Sequence, residues 1–364
     1  MSTVLCVYEV CKLVGLSSHR QVTLVNVKMD PILQPSSEHI ALGAIDLFLA
    51  IIAMFGNGMI ILAVSLSSCL QTSANVFVIN LAITDFLLAL AAVVYSLSFW
   101  TQTNFTGLEI ICAIAVAFAQ TCVGCSIFTL ASISVNRYLL VCKPRKIYEL
   151  IFRRRVIALW IVTIWVLSSA ATVLPLPFMI GELGFDEENH QCDAISSQEL
   201  AAIYDHILAV AYFPIPLVVV IFCYTNIYLY VRRHNKQLRK QLDEQLPENS
   251  SSTAPTSERR SEHEDSPAKR RMSVKQIQIT KNLFLIFCVF IVCLTPHALC
   301  SFIGCASHYT RTLVALNSLI NPFVYGISHP YFRKVFVNLL KCKPVPEPSA
   351  FASWLYNLRS SHHA

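Results

Sequence analysis

The apolar positions of this chain gather into long uncharged runs instead of alternating with polar ones, at roughly 42–66, 76–99, 110–141, 156–178, 203–231, 279–303 and 312–328. About 20 apolar residues, each rising about 1.5 Å, cross a bilayer core. The pattern therefore predicts an all-α membrane protein, a seven-transmembrane helix bundle filling residues 41–328. The last run is short, and the first carries Asp46 near its outer end. After the bundle, "HPYFRKVFVNLLKCK" (329–343) mixes bases and apolar residues as a short amphipathic helix lying along a membrane surface would. Residues 1–40 and 344–364 read as tails. The connection 234–275, with its run "PENSSSTAPTSERRSEHEDSPAKRR", is too polar to bury a core and reads as a disordered loop with helical extensions of the flanking spans at its ends.

Composition strengthens this reading. Of 364 residues, 55% are hydrophobic and only 14% charged, which is too apolar for an ordinary soluble domain. Charge sets the orientation, because short cytoplasmic loops carry the excess of Lys and Arg. Lys143, Arg145, Lys146, Arg153, Arg154 and Arg155 lie between the third and fourth spans, and Arg232, Arg233, Lys236, Arg239 and Lys240 follow the fifth. Stretches 100–109 and 179–202 contain neither base. The expected topology is an extracellular N-terminus and a cytoplasmic C-terminus in the plasma membrane, with the first helix as the insertion signal. A net charge of +6 is thus a topology signal, with no basic soluble face for nucleic acid.

Several residues acquire meaning from the side on which they fall. Asn104-Phe105-Thr106 is a glycosylation sequon on the outer side. Cys112, opening the third span, and Cys192, between the fourth and fifth, both face the oxidising side, so a bridge between them would pin that loop over the bundle. Cys300 and Cys305 offer a smaller outer bridge, with core packing the better reading of Cys300. On the inner side, Cys342 is a candidate for palmitoylation, and Ser273 follows the bases Arg270 and Arg271 that a kinase would read.

Polar residues within spans are costly in lipid and point to function. Asp85 lies in "NLAITDFLLAL", with no cationic partner in any span. Asn57, Ser126, Asn317 and Asn321 supply oxygens at similar depth. A carboxylate ringed by neutral oxygens suits a small hard cation such as sodium; the alternative is a protonated Asp85 in a hydrogen-bonded network.

Short motifs then appear in order: Gly56-Asn57, "LAITD" ending at Asp85, Cys112, "NRY" at Asn136-Arg137-Tyr138, Trp165 before Pro175, "FPIP" with Phe213 and Pro216, Tyr224, "FIVCLTP" from Phe290 to Pro296, and "NPFVY" from Asn321 to Tyr325. Together they resemble the rhodopsin-like family of G-protein-coupled receptors. In "NVFVINLA", "GCSIF" and "VIFCYTNIYLYV" the wording is most similar to the melatonin-receptor-like branch. The resemblance implies an extracellular ligand, a heterotrimeric G protein, arrestin and receptor kinases as partners, and no enzymatic activity. It implies a switch built from Asn136, Arg137, Tyr138, Tyr224, Pro322 and Tyr325.

By the same resemblance, the ligand pocket falls on Ala119, Gln120, Val123, Tyr212, Leu294 and His297, mainly apolar with few polar handles. That suits a small lipophilic ligand. Leu176, Gly184 and Tyr212 replace polar residues with which melatonin receptors hold their ligand. Ala119 lacks the carboxylate an amine would need, and Ala315 lacks the lysine of a retinal Schiff base. Glu182, Asp186, Glu187 and Glu188 in the outer loop could attract a cation. A seven-span transporter is the alternative function, but no half resembles the other and Asp85 is the one midplane acid.

Most of the family has an acid where Asn136 stands, and a second near the start of span six, where Lys275 and Gln276 stand. Asn136 can accept a hydrogen bond from Arg137 but contributes no charge, so the arginine is expected to be less restrained.

Overall fold

The computed structural model describes residues 37–101, 106–178, 180–186, 191–195, 201–245, 284–300, 308–328 and 330–343. Three long helices come first, α1 (Ser37–Leu66), α2 (Ser73–Thr101) and α3 (Thr106–Cys142). A short α4 (Arg145–Ile151) precedes α5 (Arg154–Val173). An antiparallel hairpin, β1 (Leu183–Asp186) and β2 (Gln191–Ala194), sets Phe185 opposite Cys192. The fifth span has two pieces, α6 (Ala201–Tyr212) and α7 (Pro214–Gln245). Then come α8 (Phe284–Cys300), α9 (His308–Ser328) and α10 (Pro330–Leu340). Over its described residues each of the seven apolar runs is mainly helical, because an unpaired backbone group in hydrocarbon costs several kcal/mol and a helix pairs its own. Phe48, Phe55, Leu159, Val166, Val218 and Val292 remain exposed on the flanks, where lipid would cover them.

Proline explains the break in the fifth span. A residue before proline is held away from the α conformation, and proline has no N–H to donate. Phe213 therefore leaves the helix, and Pro214 opens α7 at the position where a missing N–H costs least. Bonds from Phe213 N to Ala209 O and from Leu217 N to Phe213 O, both 3.1 Å, carry the chain across.

A second proline is accommodated differently. Pro322 lies inside α9, so the carbonyl four residues earlier, that of Ser318, loses its helical donor. Asn57 Nδ2 supplies one at 2.9 Å, while also donating to Ala53 O in its own helix at 2.9 Å. The approach is close enough that a Cβ on Gly56 would lie 2.8 Å from Pro322 Cγ. The Gly-Asn pair is one fitting, with the glycine leaving room for the neighbouring helix and the asparagine satisfying its orphaned carbonyl.

Further polar ties lock α2, α3 and α5. Trp165 Nε1 donates to Asn80 Oδ1 (3.0 Å), and Asn80 Nδ2 donates to Thr129 Oγ1 (2.7 Å). At one end of the bundle, Phe152 packs edge-on to Phe77 and stacks on Trp160 and Tyr148, which fastens the α4 loop. At the same end, α10 buries Phe332 and Val335 completely or nearly so, with Phe332 5.5 Å from the Tyr325 ring.

Candidate functional site

Three layers of polar residues occur along the bundle axis. In the layer under the hairpin, Cys112 and Cys192 form a disulfide, surrounded by Leu108, Val116 and Phe185. Ser98 Oγ accepts from Cys192 N at 3.3 Å. Arg311 of α9 reaches Asp193 on β2 at 2.6 Å, so the hairpin is tied to both α3 and α9. Burial pushes the Asp193 carboxyl above the ordinary carboxylate range, and Arg311 pulls it part of the way back.

The expected pocket residues come next, and each is buried, packed on the core or bonded to another protein group. Tyr204 of α6 is wholly buried and donates to Gln120 Oε1 (2.6 Å), with Thr172 O at 3.0 Å. Tyr212 donates to Ser168 O (2.8 Å) and lies 2.9 Å from Thr172 Oγ1. A Cβ on Gly124 would stand 2.6 Å from the Tyr212 ring. Ala119 and Leu294 are buried, Val123 packs on the main core, and His297 Nδ1 pairs with Thr310 Oγ1 at 3.1 Å. Gln120 and Tyr212, two of the expected polar handles, are thus engaged by protein partners. Tyr204 was not anticipated; its place two turns before Tyr212, on the same face of one span, is the signal that marks it.

Asp85 occupies the middle layer, with no exposure. It accepts from Ser126 Oγ and Ser318 Oγ at 3.3 Å each and from Asn321 Nδ2 at 2.5 Å, while Thr84 Oγ1 lies 2.9 Å from Ser126 Oγ. Among the expected neighbours, Ser126 and Asn321 are in contact with the carboxylate. Asn317 is buried nearby in sequence but makes no hydrogen bond to it; Ser318, one residue on, takes that place. Asn57 Oδ1 and Asn321 Oδ1 have no hydrogen-bond partner among the described residues.

At the far end, Arg137 is buried, with no partner for its Nε among the described residues and with Tyr325, Tyr224 and Tyr148 as its electrostatic neighbours. Tyr224 packs on Phe284 of α8, and Tyr138 packs on Phe222 beneath Lys143. One expectation is corrected here. Asn136 does not accept from Arg137; its Nδ2 donates to the Tyr148 hydroxyl at 3.2 Å. The stacked α4 loop presents Tyr148 to it, a placement no local pattern announces. Cys342 is exposed just beyond α10, and Cys300 is buried. Asn104, Glu187, Glu188, Ser273, Lys275, Gln276 and Cys305 lie outside the described residues.

Residues 56–325 match the family described as 7 transmembrane receptor (rhodopsin family). The chain is 28% identical over 329 residues to melanopsin of Branchiostoma belcheri, covering 85% of this chain and 43% of that one. It is 28% identical over 330 residues to a GQ-coupled rhodopsin of Mizuhopecten yessoensis, covering 84% and 61% respectively. With melatonin receptor type 1C of Gallus gallus it shares 25% over 315 residues, 82% of this chain and 81% of the relative. It therefore spans only part of the opsin relatives. The crystal structure of squid rhodopsin superposes with a TM-score of 0.68 at 21% identity, over 88% of this chain and 92% of that one, a likeness of fold.

Proposed function

The chain belongs to the rhodopsin family of seven-transmembrane receptors, and from that premise we propose that it converts binding of an extracellular ligand into guanine-nucleotide exchange on a heterotrimeric G protein. The observation that carries the reading is Arg137, a buried arginine among Tyr224, Tyr325 and Tyr148. A desolvated cation with no carboxylate partner among the described residues is costly, and its retention is what a second, signalling state would require. In the proposed cycle, an agonist favours the arrangement in which α8 swings away from α3, and the freed cleft admits the G protein.

The hairpin end faces outward in this proposal, and the Arg137 end faces the cytoplasm, as the loop bases suggest. The ligand is small and lipophilic and enters beside Leu294 and His297, displacing the Tyr204 or Tyr212 ring from the centre. Asp85, with the orphaned oxygens of Asn57 and Asn321 in the same layer, has the donor set of a sodium site that holds the closed state. Arrestin and receptor kinases would act on the cytoplasmic face.

The test is exchange of labelled guanine nucleotide on each major G-protein class with the purified full chain, alone and across a library of lipophilic compounds. Stimulated exchange on any class supports the proposal. Solute uptake into vesicles holding the receptor, without exchange on any class, overturns it.

A further inference from the structure

Tyr204 of α6 packs its ring against the loop that precedes the hairpin, where Gly181 has a φ of +89° and a Cβ on it would lie 2.8 Å from Tyr204 Cγ. The ring is wholly buried, so its hydroxyl has a fixed position. Two oxygens lie within its reach, Gln120 Oε1 at 2.6 Å and the carbonyl of Thr172, in the last turn of α5, at 3.0 Å. A phenol has one hydrogen to give.

The distances decide which oxygen takes it. If Thr172 O took the hydrogen, the Gln120 amide would have to turn and donate through Nε2 to the phenol oxygen. A contact of 2.6 Å is shorter than an N–H···O bond, about 2.7–3.2 Å, and ordinary for O–H···O, about 2.5–3.0 Å. Tyr204 therefore donates to Gln120 Oε1, which fixes the other end of the amide. Nε2 carries two N–H donors and has no hydrogen-bond partner among the described residues. Gln120 is half-buried, on the α3 face that also carries Ala119 and Val123.

We propose that Tyr204 is a positioning residue that sets the chemistry of the ligand. By holding Gln120 Oε1 it turns the amide N–H groups toward the pocket, which selects a neutral hydrogen-bond acceptor, a ketone or ether oxygen, at that point. A donor there would set N–H against N–H. An anionic acceptor would be buried without a counter-charge, since Arg311 is committed to Asp193. The proposal rests on the ligand entry given above, with Tyr212 as the ring displaced and Tyr204 kept in place.

Three tricyclic probes of one shape separate the cases: 9-fluorenone carries an acceptor, carbazole a donor and fluorene neither. Their affinities for the purified full chain are measured by saturation-transfer NMR without any G protein, each divided by the value for Gln120→Met, which cancels uptake by detergent. A net neutral hydrogen bond is worth about five-fold, so the parent should favour fluorenone over fluorene by about that factor and should not favour carbazole. In Tyr204→Phe the ring still fills its place against Gly181 but the amide is free to turn, so the fluorenone preference should fall and carbazole should rise to match it. A merely structural role for Tyr204 would weaken all three probes alike. Gln120→Glu keeps an acceptor for the phenol and removes both N–H groups; it should lose the preference, and it decides the matter if Tyr204→Phe does not fold. A carbazole preference in the parent, or a fluorenone preference unchanged in Tyr204→Phe or in Gln120→Glu, would each overturn the proposal. A receptor that binds none of the probes fails the lipophilic pocket on which this rests, whereas one that binds fluorene and fluorenone alike fails only the direction of the amide.

Discussion

Asn136 donates its side-chain N–H to the hydroxyl of Tyr148, 3.2 Å away, and the neighbouring Arg137 has no carboxylate partner among the described residues. A charge-assisted bond is roughly twice as strong as a neutral one. Restoring the acid, Asn136→Asp, should add about 1 kcal/mol to the closed state and cut ligand-independent nucleotide exchange several-fold. Arg137→Ala should abolish exchange at matched surface level. Basal exchange by the parent equal to that of empty membranes, for every G-protein class, would show that other packing has reset the balance.

Sodium should stabilise the purified receptor relative to potassium. At about ten times the dissociation constant, a bound ion adds about 1.4 kcal/mol, worth a few degrees in Tm. Asp85→Asn should remove the difference between the two salts. An identical salt response in parent and variant would mean that Asp85 serves only its hydrogen bonds to Ser126, Ser318 and Asn321.

Gly124→Ala should destabilise by about 1–3 kcal/mol, because the new methyl meets a Tyr212 ring held in place by its bond to Ser168 O. Tyr212→Leu introduced alongside should recover part of that loss, so the two changes are not additive. Strict additivity in a thermal-unfolding cycle would refute the contact.

Replacing Cys112 or Cys192 with Ser should lower surface level to the same degree, since each opens the same closed loop, with a sequence separation of 80. The chain-entropy relation puts the loss at about 4.5 kcal/mol. Surface labelling with an antibody to the N-terminus measures it, and undiminished labelling in either variant would contradict the expectation.

The seven spans are legible in the sequence because lipid imposes one local solution on every apolar run. The break at Phe213-Pro214 inside the fifth run is not legible, because Pro216 and Pro322 show that proline alone does not end a helix. Harder to see are the contacts made across helices. Ser318 rather than Asn317 bonds Asp85, a matter of helix phase beside Pro322 that spacing does not settle. Tyr204 engages Gln120, an expected pocket residue, because α6 aims it at a partner 84 positions earlier. Tyr148 meets Asn136 only because Phe152 is stacked into the ring cluster of Phe77 and Trp160. In each case a distant partner decides between local options of similar cost.

The joint between Asn57 and the Ser318 carbonyl gives α9 a fulcrum. Above it the helix is held to α1 again, where Thr312 donates to Asp46 at 2.9 Å. Below it, past the proline, one turn of helix leads to Tyr325 with no comparable hydrogen bond to α1 among the described residues. If the seventh span moves in the proposed cycle, the two ties favour movement in that lower segment, as a short lever. Its tip carries Tyr325 and the Phe332 ring packed against it, so a small hinge at Pro322 becomes a larger sweep beside Arg137.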